Sequence, residues 1–319
     1  MNSHHFIGVD VAKDKFDVCW VKEDNSLLQK MFTNTHCGFK EFTTWIKKQS
    51  HNPWVCMEAT GHYSEILADF LVSQDVKVSV VNPVQIKYFA KVKLSRNKND
   101  KVDAKIIAEY GKLMNPRLFE PRSSEQKYIR ELIQLEDTLR TQRTQLKLQQ
   151  GCAQSKEIKK EFEKTLRMLD KRLETLAKLI QSTIAVHTQW HELVKLITSI
   201  KGFSELSAYR LLAYLPDLTL FKNAKQLAAF IGVSPKQKES GKYAGQTQLS
   251  KLGNARLRNI LYMPALNAKR HNEALQPFVK RLENNGLTPK AIVGAVMRKL
   301  VHIIYGMFKT KSCFNPNLV

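Results

Sequence analysis

The order of apolar runs in the first third of the chain constrains the fold most. "FIGVDVA", "KFDVCWVKED" and "SLLQKMFTNT" follow one another closely, with the turn-forming "EDNS" between the second and third. Each suits a strand, and short connections predict an antiparallel meander. Helix and strand signals then alternate. "CGFKEFTTWIKKQS" reads as a helix, "PWVCMEAT" as a strand, "HYSEILADFLVSQ" as an amphipathic helix, "VKVSVVNP" as a strand and "VQIKYFAKVK" as a helix. The order β-β-β-α-β-α-β-α is mixed α/β.

"NPRLFEPRSSEQ", with two prolines and a polar cluster, breaks this pattern and predicts a domain boundary. Beyond it Leu132, Leu135, Leu139 and Leu146 recur at helical spacing. Ile158, Phe162, Leu166, Leu169, Leu173, Leu176 and Ile180 do the same. Charged residues fill the gaps, as in long helices packed as a coiled coil. An intramolecular hairpin and a dimer arm fit the pattern equally. From Ile197, "ITSIKGFSELSAYRLLAYL" gives a helix end, a turn at Lys201–Ser204 and a second helix. A glycine turn of this kind, with free N–H groups at a helix start, suits a phosphate as in helix-hairpin-helix elements. A plain helical hairpin reads the same. The expected domains are 1–118, 119–192 and 193–319.

Composition narrows the partners. The 319 residues carry 51 Lys+Arg against 29 Asp+Glu, a formal charge of +22. That balance points to nucleic acid or an anionic surface. Residues 236–311 alone hold fifteen Lys/Arg and three acids, among apolar runs that should fold. "KLGNARLRNILY" reads as a helix with Arg256 and Arg258 near its start. Tyr243 and Tyr262 are candidates to stack on bases, with core packing the default for Tyr262. "AIVGAVMRKLVHIIYGMF" is interrupted by Arg298 and Lys299 and reads as a buried or amphipathic helix rather than a membrane span. Five scattered cysteines without a CxxC pair argue for a reducing compartment, the cytoplasm, and against a zinc site.

The chemistry resides in acids at element ends. Asp10 lies in or at the end of the first strand, where a charge is costly unless paired or bound to a metal. Glu58 ends the strand "WVCMEATG". Asp100 and Asp103, three residues apart, share a helix face if the helix starts near Asn99 or Asp100. Taken singly, each has a plainer role: Asp10 as a turn cap, Glu58 as a cap or salt bridge, Asp100 as an N-cap. Together, on a strand order that is also that of the ribonuclease H-like fold, they suit a hard-oxygen site for Mg²⁺ or Mn²⁺ acting on a phosphodiester.

"GVDVAKDKFDV", "MEATGHY", "VNPVQIKYFAKV" and "NKNDKVDAKIIAEY" resemble successive blocks of the DEDD-type insertion-sequence transposases, the Piv/MooV-like recombinases whose best-understood members are guided by a bridge RNA. "LITSIKGFSELSAYRLLAYL", "FKNAKQLAAFIGVSP" and "KESGKYAGQTQLSKLGNARLRNILY" extend the resemblance over nearly the whole chain. It implies an RNase H-like (RuvC-like) α/β N-terminal domain, central coiled-coil helices and a mostly helical C-terminal domain. It implies a catalytic, metal-binding tetrad of Asp10, Glu58, Asp100 and Asp103, with Lys98, Lys101 and Lys105 along the DNA backbone. It implies a serine nucleophile, matched by Ser240 in "KESGK" and flanked by Lys238 and Lys242, with Ser234 and Ser250 ranked lower. Lys251, Arg256 and Arg258 complete the expected nucleic-acid contacts. The implied partners are donor and target double-stranded DNA, a structured guide RNA and further copies of the chain, as dimer and tetramer.

Other classes make different predictions. A RuvC-like junction resolvase would use the acids without a serine–DNA adduct, and a Piv-like invertase would act without an RNA guide. An actin-like phosphotransferase needs glycine-rich phosphate loops, which the sequence lacks. A non-catalytic nucleic-acid-binding protein would tolerate replacement of Asp10 or Asp103.

Overall fold

The computed structural model describes residues 5–22, 26–94, 99–236, 239–240, 243–244 and 248–318. The chain forms two compact units, Met1–Arg122 and Ser123–Val319. The helical arm anticipated as a middle domain therefore belongs to the second unit.

The first unit is built on a five-stranded sheet in the order β3-β2-β1-β4-β5. The strands are β1 (His5–Val11), β2 (Lys15–Val21), β3 (Leu27–Thr33), β4 (Pro53–Glu58) and β5 (Lys77–Val81). β1, β2 and β3 pair antiparallel, while β1–β4 and β4–β5 pair parallel. This mixed α/β sheet, with all the anticipated strands and helices in sequence, is consistent with an RNase H-like fold. β1 is central and buried along most of its length, so it reads as a continuous apolar run.

Each face of the sheet has its own cover. One face, with Ile7, Val9 and Phe16, packs on Phe39, Phe42 and Ile46 of α1 (His36–Gln49) and Leu67 and Leu71 of α2 (His62–Ser73). The other carries Cys56 and Val81 against Ile86 of α3 (Pro83–Val92) and Ile106, Ile107 and Tyr110 of α4 (Asp100–Met114). Gly8 fixes how close α4 comes. A Cβ there would lie 2.0 Å from Ala104 O and 2.3 Å from Ala108 N.

The second unit begins with α5 (Ser124–Cys152), opened by a capping box at Ser123 and Gln126, and α6 (Lys156–Val186). These two helices pack against each other as a hairpin. Of the anticipated stripe in α6, Leu169, Leu173, Leu176 and Ile180 are buried, with Ile184 continuing it, while Phe162 and Leu166 are half-buried and Ile158 is exposed. In α5 the stripe does not hold. Leu135 is 49% exposed, and the buried face runs through Ile129, Leu132, Ile133 and Glu136. Glu136 can occupy that face because Arg140 and Arg210 bond its two oxygens at 2.8 and 3.0 Å.

The remaining helices are α7 (Thr188–Thr198), α8 (Glu205–Tyr214), α9 (Ala224–Ile231), α10 (Ala255–His271), α11 (Gln276–Asn284) and α12 (Pro289–Thr310). Between α9 and α10 runs a ribbon of four two-residue strands. β6 (Pro235–Lys236) pairs with β9 (Gln248–Leu249), and β7 (Glu239–Ser240) with β8 (Tyr243–Ala244). α12 is long and apolar enough to cross a membrane, but Ile292, Val296, Leu300, Val301 and Ile304 lie in the core of this unit. The buried helix expected from its sequence is the one found.

Candidate active site

Two periods place the acids. Along a strand, alternate residues face one side and advance about 6.6 Å per pair, while four residues of helix advance about 6 Å. Phe6 meets α4 at Gly111, and Gly8 meets it at Ala104 and Ala108. The next residue on that face of β1 is Asp10, and the next stretch of α4 is its first turn, which holds Asp100 and Asp103. Glu58 follows from the parallel register. Gly8 pairs with Cys56 and Val9 with Met57, so Asp10 and Glu58 end neighbouring strands side by side.

Helix α4 is capped by Asn99, whose side chain accepts from Val102 N at 2.8 Å. The N-cap role considered for Asp100 thus falls to its neighbour, because the short Asn side chain in extended backbone reaches the third residue on. Asp100 and Asp103 are left in the first turn, where the positive end of the helix favours carboxylates.

The electrostatics register this convergence at Asp10. Burial pushes its carboxyl up, and the charges of Asp103, Asp100, Glu58 and Asp17 push it further, to about 6. Asp10 therefore senses the other three acids singled out in the sequence. Asp17 is a fifth acid that sequence reasoning passed over. It is 7% exposed and stands opposite Asp10 in the β1–β2 register. Lys15 is a second omission. Its ammonium donates to Asp17 Oδ2 at 3.0 Å and to Asp100 Oδ2 at 2.9 Å. Those bonds hold the Asp100 carboxyl below its usual range and raise Lys15. The signal for both lies in "VDVAKDKFDV": a tight turn sets Asp10 and Asp17 across from each other.

The donor set is all hard oxygen, and its crowded negative charge calls for a cation, so the residues suit a divalent ion such as Mg²⁺. Among the described residues no group of three or more His, Cys, Asp or Glu side chains is gathered closely enough to hold a metal ion as it stands. Among the described residues Lys15 is a cationic partner of two of these acids, Asp17 and Asp100.

The anticipated nucleic-acid contacts fall in several settings. Lys101 is exposed on α4, and Lys105 lies 3.9 Å from Glu109. Lys251 is exposed, with a positive φ of 54°. Arg256 sits 4.7 Å above the Tyr214 ring and 3.6 Å from Asp137. Arg258 Nη1 donates inward to the carbonyls of Ile231 and Gly253 at 2.9 and 3.0 Å. Lys98, Lys238 and Lys242 lie outside the described residues. Ser240 lies in β7 of the second unit, its backbone opposite Tyr243. Of the alternatives, Ser250 Oγ accepts from Leu252 N at 3.3 Å, and Ser250 N donates to Ser234 O at 2.9 Å.

One further expectation is revised. Tyr262 is 42% exposed rather than in the core, because it sits on the outer face of α10. The glycine of the Lys201–Ser204 turn has an internal reason. Gly202, at φ 126°, leaves only 2.9 Å between a would-be Cβ and both Ala268 Cβ and Pro264 O of α10. The turn needs glycine to pack on α10, so the glycine by itself does not point to an anion.

Comparison with known proteins agrees with this architecture. Residues 7–152 match the family model of DEDD transposases of the IS110 type, and residues 194–280 match the model described as "Transposase IS116/IS110/IS902 family". The "Pilin gene-inverting protein" of Moraxella bovis is 32% identical over 99% of both chains, and that of Moraxella lacunata is equally similar. The "Transposase for insertion sequence element IS1111A" of Coxiella burnetii is 26% identical over 85% of this chain and 79% of its own. The chain belongs to the IS110 family of DEDD-type transposases, DNA recombinases that cut and rejoin DNA.

Proposed function

We propose that this recombinase moves its own insertion element by a DNA strand transfer that uses the acidic cluster and Ser240 together. The observation that carries the reading is the convergence of Asp10, Glu58, Asp100 and Asp103, registered in the raised Asp10 carboxyl. Asp10 and Glu58 supply oxygens from strand ends, and Asp100 and Asp103 supply them from one helical turn. A divalent ion, Mg²⁺ or Mn²⁺, would polarise the phosphodiester and favour loss of the attacking hydroxyl's proton.

Ser240 provides the nucleophile. Its Oγ forms an ester bond to the phosphorus, the bond from phosphorus to one deoxyribose oxygen breaks, and that oxygen leaves as a hydroxyl. The reverse attack by a hydroxyl of another strand restores the phosphodiester and frees the serine. Bond energy is conserved in the ester, so no energy-rich cofactor is needed. Lys101, Lys105 and Lys251, with Lys98, Lys238 and Lys242, would lie along phosphates, whose contacts fix register without reading sequence. Arg256 and Arg258 fit that role less well, being engaged within the fold. Target choice would then come from a structured guide RNA. The exposed apolar residues toward the far end of the α5–α6 hairpin, Leu148 at 68% and Ile158 at 53%, fit a seam for a second copy, with a tetramer holding donor and target.

A second reading has its own support. The Moraxella relatives, named for inverting a pilin gene, match over nearly their full length. Programmed inversion, with or without an RNA guide, would use the same residues on a different pair of sites.

The test is to incubate the protein with Mg²⁺, DNA carrying the element ends and RNA transcribed from its flank, then denature it. The expected result is a covalent protein–DNA adduct that Ser240→Ala and Asp103→Ala both abolish. Cleavage without an adduct, indifferent to Ser240→Ala, would reduce the activity to that of a RuvC-like nuclease.

A further inference from the structure

Three helices of the second unit enclose a groove of about 640 Å³. Its floor is apolar. Leu266 of α10, Val279 of α11 and Val293 of α12 line it, and the two valines are 3% and 4% exposed. Its rim is basic. Arg270, Lys280 and Lys290, one from each helix, line it and are exposed, and none pairs with an acid among the described residues. The one acid in the lining, Glu283, is 3.4 Å from Lys269 Nζ, so its charge is already matched. Tyr262 stands among the lining residues with 42% of its surface open.

The sequence places these groups by helical spacing. Tyr262, Leu266, Lys269 and Arg270 follow the i, i+4, i+7, i+8 face of α10, and Val279, Lys280 and Glu283 follow the matching face of α11. The groove is held open from within. Lys269–Glu283 ties α10 to α11, and Gln276 Nε2 donates to Lys269 O at 2.8 Å.

We infer that this groove takes an unpaired nucleotide of a nucleic-acid strand, its base against Tyr262 and the apolar floor and its phosphates on Arg270, Lys280 and Lys290. The combination selects this ligand. Three unmatched cations favour a polyanion. An exposed aromatic ring beside an apolar floor offers a platform for a π-face, the way single strands are held without reading their edges. A base inside a duplex is stacked on both sides and presents only its edges, so it cannot reach the floor. The ligand is thus a strand that is single, looped or locally unpaired. The inference rests on the recombinase reading for the supply of nucleic acid, but it concerns neither the acids nor Ser240.

The test measures fluorescence anisotropy of the full-length protein with three labelled probes: a ten-residue oligo-dT, a ten-residue oligo-U and a twenty-base-pair duplex. Tyr262→Ala should weaken binding of a single-stranded probe about tenfold, the scale of one lost base stack. Tyr262→Phe should restore it, and duplex affinity should hold within twofold. Lys280→Glu with Lys290→Glu should weaken the same probe and flatten its salt dependence. Preference for oligo-dT would assign the groove to extruded DNA, and preference for oligo-U to an RNA loop. Equal losses for duplex and single strand in Tyr262→Ala, or no loss for either, would overturn the inference. If the unaltered protein bound none of the probes, the nucleic-acid reading of the chain would fall with it. Because Tyr262 is exposed, the Ala variant should melt as the parent does, which circular dichroism checks.

Discussion

Lys15 and Asp100, 85 residues apart in the chain, form an ion pair of 2.9 Å at the edge of the acidic cluster. The same ammonium holds Asp17 at 3.0 Å. A lysine therefore occupies part of the space in which a divalent cation would find its oxygens. Loading an ion requires Lys15 to release Asp100. An exposed pair of this kind is screened by solvent and contributes little. Lys15→Met should therefore tighten Mn²⁺ binding by up to about fivefold, read by calorimetric titration, and change the melting temperature little. Weaker Mn²⁺ binding in the variant would mean that Lys15 organises the cluster instead of competing for it.

The acidic cluster should also limit stability. A carboxyl raised to about 6 is penalised in its charged form, so stability is full at low pH and is lost as pH rises through that value. In EDTA, Asp10→Asn should melt higher than the parent at pH 7.5, and the gap should close as pH falls toward about 4, the ordinary carboxylate range. The same variant should lose strand cleavage, a trade of activity for stability. Melting curves from pH 4.5 to 8 decide it, and a gap independent of pH would refute the electrostatic cause.

Gly8 sets the distance between β1 and α4. Gly8→Ala pushes a methyl into the helix backbone and should cost the first unit about 3 kcal/mol or more. Limited proteolysis of the soluble variant should cut within the first unit well below the parent's melting temperature.

Glu136 is fully buried between Arg140 and Arg210. Glu136→Ala removes the buried acceptor of Arg140 and Arg210 but leaves Arg210 on Asp137 at 3.0 Å, so the cost should be about 1.5–3 kcal/mol, the scale of a lost charged hydrogen bond. Chemical denaturation followed by helical circular dichroism should show that loss. Leu135→Ala, on the exposed side, should change stability by less than about 1 kcal/mol.

The cysteines divide by burial. Burial pushes the Cys56 thiol up to about 12 and raises that of Cys19, whereas Cys37, Cys152 and Cys313 are exposed. Iodoacetamide at pH 8 should label those three in the folded protein and all five after denaturation. Intact-mass measurement counts the adducts.

The first unit was legible because its signals are local and agree. Each strand and helix between His5 and Val92 is marked by its own period and punctuation, and Asp10, Glu58, Asp100 and Asp103 stand where those elements end or begin. Lys15 and Asp17 were not, because their roles depend on cross-strand register, which no single segment carries. In α5 the leucines misled, since Leu135 shares the helical period but points outward while Glu136 turns in. The decisive fact there is the pair of arginines, one of them 74 residues away on α8. The packing role of Gly202 was hidden for a similar reason: the part of α10 that demands a glycine lies more than sixty residues downstream. Tyr262 looked like core because tyrosine in an apolar helix usually is, and only the packing of α10 shows which face stays open.

The wide separation of the acids along the chain has a consequence for synthesis. A ribosome delivers Asp10 first, Glu58 next and the Asp100–Asp103 turn last. A product terminated before Asn99 holds two of the four acids and has no α4 to cover the Gly8 face of β1. The apolar surface it leaves uncovered marks such a fragment for proteolysis.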